Sequence, residues 1–236
     1  MQKLRKMAMG YITEITDLII YIIKGVIIGI VASAPMGPVG VLCIRRTIKK
    51  GRIYGLMTGA GASMSDLIYA IITGYGISLL PFLQNPQNEF WMKLVGCALL
   101  CGFGIHMYRT KPAPKLQPES AKKGSLFKNF FTAFMITLCN PMIVFLFIAL
   151  FNMFAPFVGT GENFVYTAAG FAAIVGGAML WWLGLTYVIN KTRNTFGEKG
   201  IIRMNRTIGG VVLTLAFFYA MFTLLNISIT GFLFGV

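Results

Sequence analysis

Charged side chains are scarce in this chain, and acidic ones are the scarcest. Only 12% of its 236 residues are charged, 7 of them Asp or Glu, and there is one His, whereas about a quarter of an ordinary soluble domain is charged. Hydrophobic residues make up 56%, and the mean hydropathy is +0.74. This balance excludes a soluble globular domain and intrinsic disorder, and it indicates a membrane protein.

The apolar residues are gathered into six long stretches. Most of these reach the roughly 20 residues that a helix needs to cross a hydrocarbon core of about 30 Å. None shows the strict alternation of a membrane β-strand. We therefore predict an all-α membrane protein with six transmembrane helices, at 18–44, 53–80, 91–108, 129–154, 164–190 and 207–231.

The basic residues indicate the topology. Sixteen of the 21 Lys and Arg residues lie in 45–52, 109–128 and 191–206, whereas the loops 81–90 and 155–163 contain none. Short loops rich in Lys and Arg stay in the cytoplasm, so these three segments are predicted to be cytoplasmic. The formal charge of +14 is thereby explained by topology, with anionic lipid as the neighbour and no role for nucleic acid.

The basic linker 109–128 divides the spans three and three. Three spans per half force the halves, 18–108 and 129–236, into opposite orientations, which is the pattern of inverted repeats in transporters. Residues 1–17 form an N-terminal tail or an interfacial segment. Whether the N-terminus lies outside stays open, as does a possible homo-oligomer.

The first and fourth spans each contain proline in mid-helix, and we predict that both helices are broken there. Proline removes a ladder hydrogen bond and suits the first position of a new helix, and Asn before it is a preferred cap. The restarted helices would point N–H groups into the membrane, where a carboxylate can bind. The predicted binding residues are Pro35, Gly37, Pro38, Asn140 and Pro141.

Asp66 is the acid farthest from a membrane surface, near the middle of the second span. An acid at that depth is costly, by about 2.5–3.5 kcal/mol on insertion scales, and marks an ion or substrate pathway. We assign it proton coupling. Trp181 or its neighbour Trp182 can line the cavity, and Trp181 is the candidate. His106, near the end of the third span, is interpreted as structural.

The proline-glycine segment, the glycine-rich second span with its acid, and the later Asn-Pro pair resemble motifs of the LysE/RhtB family of bacterial amino acid exporters. The likeness extends over essentially the whole chain. It implies a secondary transporter in the bacterial inner membrane that exports amino acids or related small metabolites, by proton antiport and without enzymatic activity, metal or cofactor. The residues that carry it are Ala34-Pro35-Met36-Gly37-Pro38-Val39-Gly40, Gly51, Gly55, Gly59, Gly61, Asp66 and Asn140-Pro141.

Two alternatives stay open. An inorganic cation transporter of the same superfamily is disfavoured because hard cations prefer several oxygen ligands and the spans offer one mid-membrane carboxylate. A membrane thiol-disulfide carrier would need one cysteine beside each proline break. Cys43 follows Pro38 by five residues and Cys139 precedes Pro141 by two, so the cysteines are not placed symmetrically.

Overall fold

The structure is a computed structural model, and it describes residues 2–35, 37–79, 86–109, 125–154, 164–192 and 198–225. Within these ranges the chain forms helices and short turns, as the all-α prediction requires. The helices are α1 (Gln2–Ser33), α2 (Pro38–Lys50), α3 (Arg52–Leu79), α4 (Pro86–Arg109), α5 (Leu126–Leu138), α6 (Pro141–Phe154), α7 (Phe164–Lys191) and α8 (Glu198–Leu224).

Four of the described helices contain a segment long and apolar enough to cross a membrane. They are α1, α3, α7 and α8, and the pair α5 and α6 makes a fifth if it is counted as one bent span. The chain is therefore an all-helical, multi-pass membrane protein. Residues 2–17 are continuous with the first apolar stretch, because α1 runs from Gln2 to Ser33 without interruption.

Both predicted helix breaks are present. The first apolar stretch is divided between α1 and α2, and α2 begins at Pro38. The fourth is divided between α5 and α6, whose axes differ in direction by 73°. At both places the new helix starts at proline, whose missing N–H costs nothing in the first turn.

Two long helices, α3 and α7, pack against each other, and each receives the helix that precedes one of the breaks. α1 lies along α7, α5 lies along α3, and α4 pairs with α8. Glycine permits the α1–α7 approach: a Cβ on Gly29 would collide with the Ile174 carbonyl, and one on Gly177 with the backbone of Val26. The helix ends at both breaks are thereby held close to α3 and α7.

Several sequence features lie outside the described residues. They include Met36 in the first break, most of the basic linker (110–124), the loop residues 81–85 and 155–163, and the C-terminal residues 226–236. The cytoplasmic placement of the linker and the domain boundaries around it stay predictions.

Arg46 was predicted to lie in a cytoplasmic loop, but it belongs to α2 and is 3% exposed. Its Nη1 donates hydrogen bonds to Thr58 Oγ1 of α3 at 3.0 Å and to the Asn129 carbonyl of α5 at 2.9 Å. One guanidinium therefore joins three helices. Hydrogen bonds to a charged group contribute about 1.5–3 kcal/mol each.

We expect Arg46→Ala to destabilise the protein by at least about 2 kcal/mol, because it leaves the Asn129 carbonyl buried without this donor. The measurement is thermal unfolding of the purified protein in detergent. Lys49→Ala, which removes an exposed cation from the same helix, should leave the unfolding temperature unchanged. Equal stability of the two variants would show that the Arg46 contacts do not hold α2 in place.

Candidate functional site

A cavity of about 520 Å³ lies where the two helix breaks meet. Its volume is within the range of about 300–1,000 Å³ that small-molecule sites occupy. Side chains or backbone from both breaks line it, together with residues of α3, α4, α6 and α7. The predicted site residues that line this cavity are Pro35, Gly37, Pro38, Asp66 and Asn140.

The break between α5 and α6 is closed by its own hydrogen bonds. Asn140 Oδ1 accepts from the Met142 N–H at 3.1 Å, so Asn140 is the predicted N-cap, and its carbonyl accepts from the Ile143 N–H at 3.2 Å. The Leu138 carbonyl, at the end of α5, accepts from the Tyr69 hydroxyl of α3. The first N–H groups of α6 are therefore already occupied.

The break before α2 is different, because no side chain caps this helix. Gly37 occupies the capping position, and Pro38 follows it. Among the described residues, the helical ladder begins with the Val41 N–H, which donates to the Gly37 carbonyl at 3.2 Å. The N–H groups of Val39 and Gly40 precede that ladder, and both residues line the cavity. The α2 terminus thus presents donors and a positive dipole end to the cavity.

Asp66 contributes the one carboxyl group among the residues that line the cavity, and it is 4% exposed. Ser33, the last residue of α1, donates a hydrogen bond from Oγ to Asp66 Oδ2 at 3.0 Å. An uncompensated carboxylate in a low-dielectric site is costly, so this group favours either a proton or a cationic partner. The acid of α3 and the end of α1 therefore meet at the first break.

Trp182, rather than Trp181, lines the cavity. Trp181 is half-buried and packs against the hydrophobic core. The orientation of Trp182 depends on Gly59 of α3, since a Cβ there would lie 2.6 Å from the Trp182 Cβ. Close packing of α7 on α3 at this glycine leaves Trp182 at the cavity.

The polar lining residues Ser33, Thr137 and His106 were not predicted to belong to the site. Ser33 and Thr137 each lie within one helical turn of a break, which is a signal that the sequence offers. His106 was interpreted as structural, but it lines the cavity. Within the described part of the chain, the buried Thr137 Oγ1 and Trp182 Nε1 have no hydrogen-bond partner, and buried polar groups without one are uncommon.

The positions of the cysteines and the acidic residues can be compared with what the two alternative functions, a thiol-disulfide carrier and an inorganic cation transporter, would require. The Cys43 thiol donates to the Gly55 carbonyl at 3.3 Å, and Cys43 is not a lining residue, whereas Cys139 lines the cavity. The pair is therefore not arranged as a thiol-disulfide carrier would require. Among the residues that the structure describes, no three His, Cys, Asp or Glu side chains are grouped as metal ligands would be.

A multi-pass helical protein with a cavity at paired helix breaks belongs to the class of membrane transporters. The particular family follows from comparison with known proteins: the model of the LysE type translocator family matches residues 30–223. The chain belongs to this family, and it is a transporter rather than an enzyme.

Two relatives extend the comparison. The protein named "Putative amino acid efflux protein YcgF" of Bacillus subtilis is 27% identical over 194 residues, which cover 82% of this chain and 91% of the relative. The "Uncharacterized membrane protein YahN" of Escherichia coli is 23% identical over 173 residues, 72% of this chain and 75% of the relative. No solved structure matches the chain.

Proposed function

We propose that the protein is a secondary transporter that exports amino acids or related small metabolites from the cytoplasm by proton antiport. The observation that carries the proposal is a single cavity that contains both an uncapped helix N-terminus and a buried carboxyl group. The first suits the substrate carboxylate, and the second suits its ammonium group. The name of the Bacillus subtilis relative, "Putative amino acid efflux protein YcgF", agrees with this chemistry.

Each predicted site residue then has a role in substrate binding or in shaping the two breaks. Pro35, Gly37 and Pro38 shape the α2 terminus that receives the carboxylate. Asn140 and Pro141 hold the second break in its capped form. The indole N–H of Trp182, rather than that of Trp181, is a further donor for the substrate when the site rearranges.

Asp66 couples transport to the proton gradient. In the outward-facing state it takes up a proton, and in the inward-facing state it releases the proton and pairs with the substrate ammonium. The Ser33 hydroxyl, 3.0 Å from Oδ2, orients the carboxyl in both forms. The partners of the protein are then the substrate, protons and membrane lipid.

The proposed architecture has six spans in two inverted repeats, α1–α4 and α5–α8. Reciprocal packing supports it: α1 lies on α7 as α5 lies on α3, and α2 contacts α7 as α6 contacts α3. The two halves also differ, because α2 packs on α3 whereas α6 packs on α4. Alternating access would then be a movement of one repeat against the other around the cavity.

The proposed location is the bacterial inner membrane, with the basic segments 45–52, 109–128 and 191–206 on the cytoplasmic side. Residues 1–17, which precede the apolar part of α1, are the tail or interfacial segment. A homo-oligomer is compatible with the proposal, but no step of the transport cycle depends on it.

The test is amino acid flux in proteoliposomes that contain the purified full-length protein. An imposed pH gradient should drive radiolabelled amino acids against their concentration gradient, and a protonophore should abolish this movement. Replacing all four cysteines by serine should preserve most of the flux. A lack of flux for every amino acid would contradict the proposal, and loss of flux in the cysteine-free protein would favour a thiol mechanism.

A further inference from the structure

The cavity wall formed by α4 and α6 carries several large apolar side chains. Phe103 and Met107 are four residues apart on α4, so they share one helix face, and Ile143 and Leu146 are three apart on α6 and also share a face. The two helices pack against each other. All four side chains line the cavity, and together they make its apolar wall.

The groups that suit the substrate backbone lie on other elements. The carboxyl of Asp66 is on α3, its donor Ser33 is on α1, and the first-turn N–H groups of Val39 and Gly40 are on α2. A bound amino acid that uses these groups for its ammonium and carboxylate leaves its side chain to the apolar wall of α4 and α6.

Charge at this wall would be poorly accommodated. Asp66 is the one Asp, Glu, Lys or Arg residue among those that line the cavity, and the proposed function already assigns it to the substrate ammonium. A second cation or anion on the substrate would be desolvated against Phe103, Met107, Ile143 and Leu146 without a counter-charge. The other titratable residues that line the cavity are His106, also on α4, and Cys139, which precedes α6.

From this arrangement we infer that the substrates are α-amino acids with uncharged, apolar side chains, and that Phe103, Met107, Ile143 and Leu146 determine this specificity. The inference rests on the proposed function and narrows it. An apolar pocket discriminates weakly between side chains that differ by one methylene, by about 10–200-fold, so several apolar amino acids should share the site.

The test is competition for flux in proteoliposomes of the full-length protein. Unlabelled leucine, methionine and phenylalanine should inhibit efflux of a labelled apolar amino acid at concentrations at least about tenfold below those of lysine or glutamate. Equal inhibition by lysine or glutamate would overturn the specificity inference and leave amino acid export intact. A lack of flux for any amino acid would overturn both.

Two variants with opposite effects locate the side-chain pocket. Phe103→Ala enlarges the pocket and should improve competition by phenylalanine relative to alanine. Ile143→Phe makes the pocket smaller and should weaken competition by phenylalanine relative to alanine. Ile143 is half-buried, so the second variant remains informative if Phe103→Ala folds poorly. Phe217→Ala, at an exposed position of α8 outside the lining, is the control. If either variant folds and competition by phenylalanine relative to alanine is unchanged, the substrate side chain binds elsewhere.

Discussion

Asp66→Asn should abolish proton-driven efflux while the exchange of labelled for unlabelled amino acid continues. The amide has nearly the shape of the protonated carboxyl and can still bond to Ser33, but it can neither release a proton nor carry a charge. The coupled step stops, and substrate binding weakens because the ammonium loses its ionic partner. The measurements are gradient-driven efflux and counterflow at equal pH, made on the same proteoliposomes.

Two controls separate coupling from folding in this experiment. Glu14→Gln neutralises an exposed acid of α1 and should leave efflux unchanged. Ser33→Ala removes the 3.0 Å hydrogen bond but keeps the carboxyl, so efflux should persist at a reduced rate. Wild-type, pH-dependent export by Asp66→Asn would mean that the acid is structural and that protons follow another route.

Local chemistry was sufficient to predict both helix breaks. Proline without an N–H group at 38 and 141, and Asn directly before Pro141, are features that act within one helical turn. Asp66 was equally predictable, because an acid in the middle of a long apolar stretch is costly unless it lies in a cavity. Each of these inferences depends on neighbours in sequence.

The features that the sequence did not reveal depend on contacts between distant segments. Trp181 and Trp182 point in directions about 100° apart on any helix, and the packing at Gly59 selects Trp182. The bond from Ser33 to Asp66 joins residues 33 positions apart. The orientation of α4 about its own axis likewise places His106 at the cavity. The position of His106 near the end of a helix had suggested a structural role.

Both breaks were predicted to offer N–H groups to a carboxylate, and their hydrogen bonds make them unequal. Asn140 occupies the first donor of α6, whereas glycine at position 37 has no side chain with which to occupy those of α2. The residue before each proline therefore decides whether the helix terminus is closed or open. This difference is the reason why we propose the α2 terminus, rather than that of α6, for the substrate carboxylate.

Gly37→Leu should eliminate substrate binding without unfolding the protein. Gly37 has φ −71°, a value that any residue adopts, and a Cβ there would have no heavy atom within 4 Å. The leucine side chain would thus fit the backbone but extend into the space before the Val39 and Gly40 N–H groups. It would block the carboxylate by volume.

The measurement is thermal stabilisation of the purified protein by substrate. A ligand present at 100 times its Kd stabilises the folded state by about 2.7 kcal/mol, and this increment should vanish in Gly37→Leu while the unfolding temperature without substrate stays near that of the wild type. Gly37→Ala should keep part of the increment, because its methyl group is small. Gly184→Leu, at an exposed position of α7 with open space around it, should keep all of it. Unchanged stabilisation of Gly37→Leu by substrate would reduce the proline-glycine segment to a bend and move the carboxylate site away from α2.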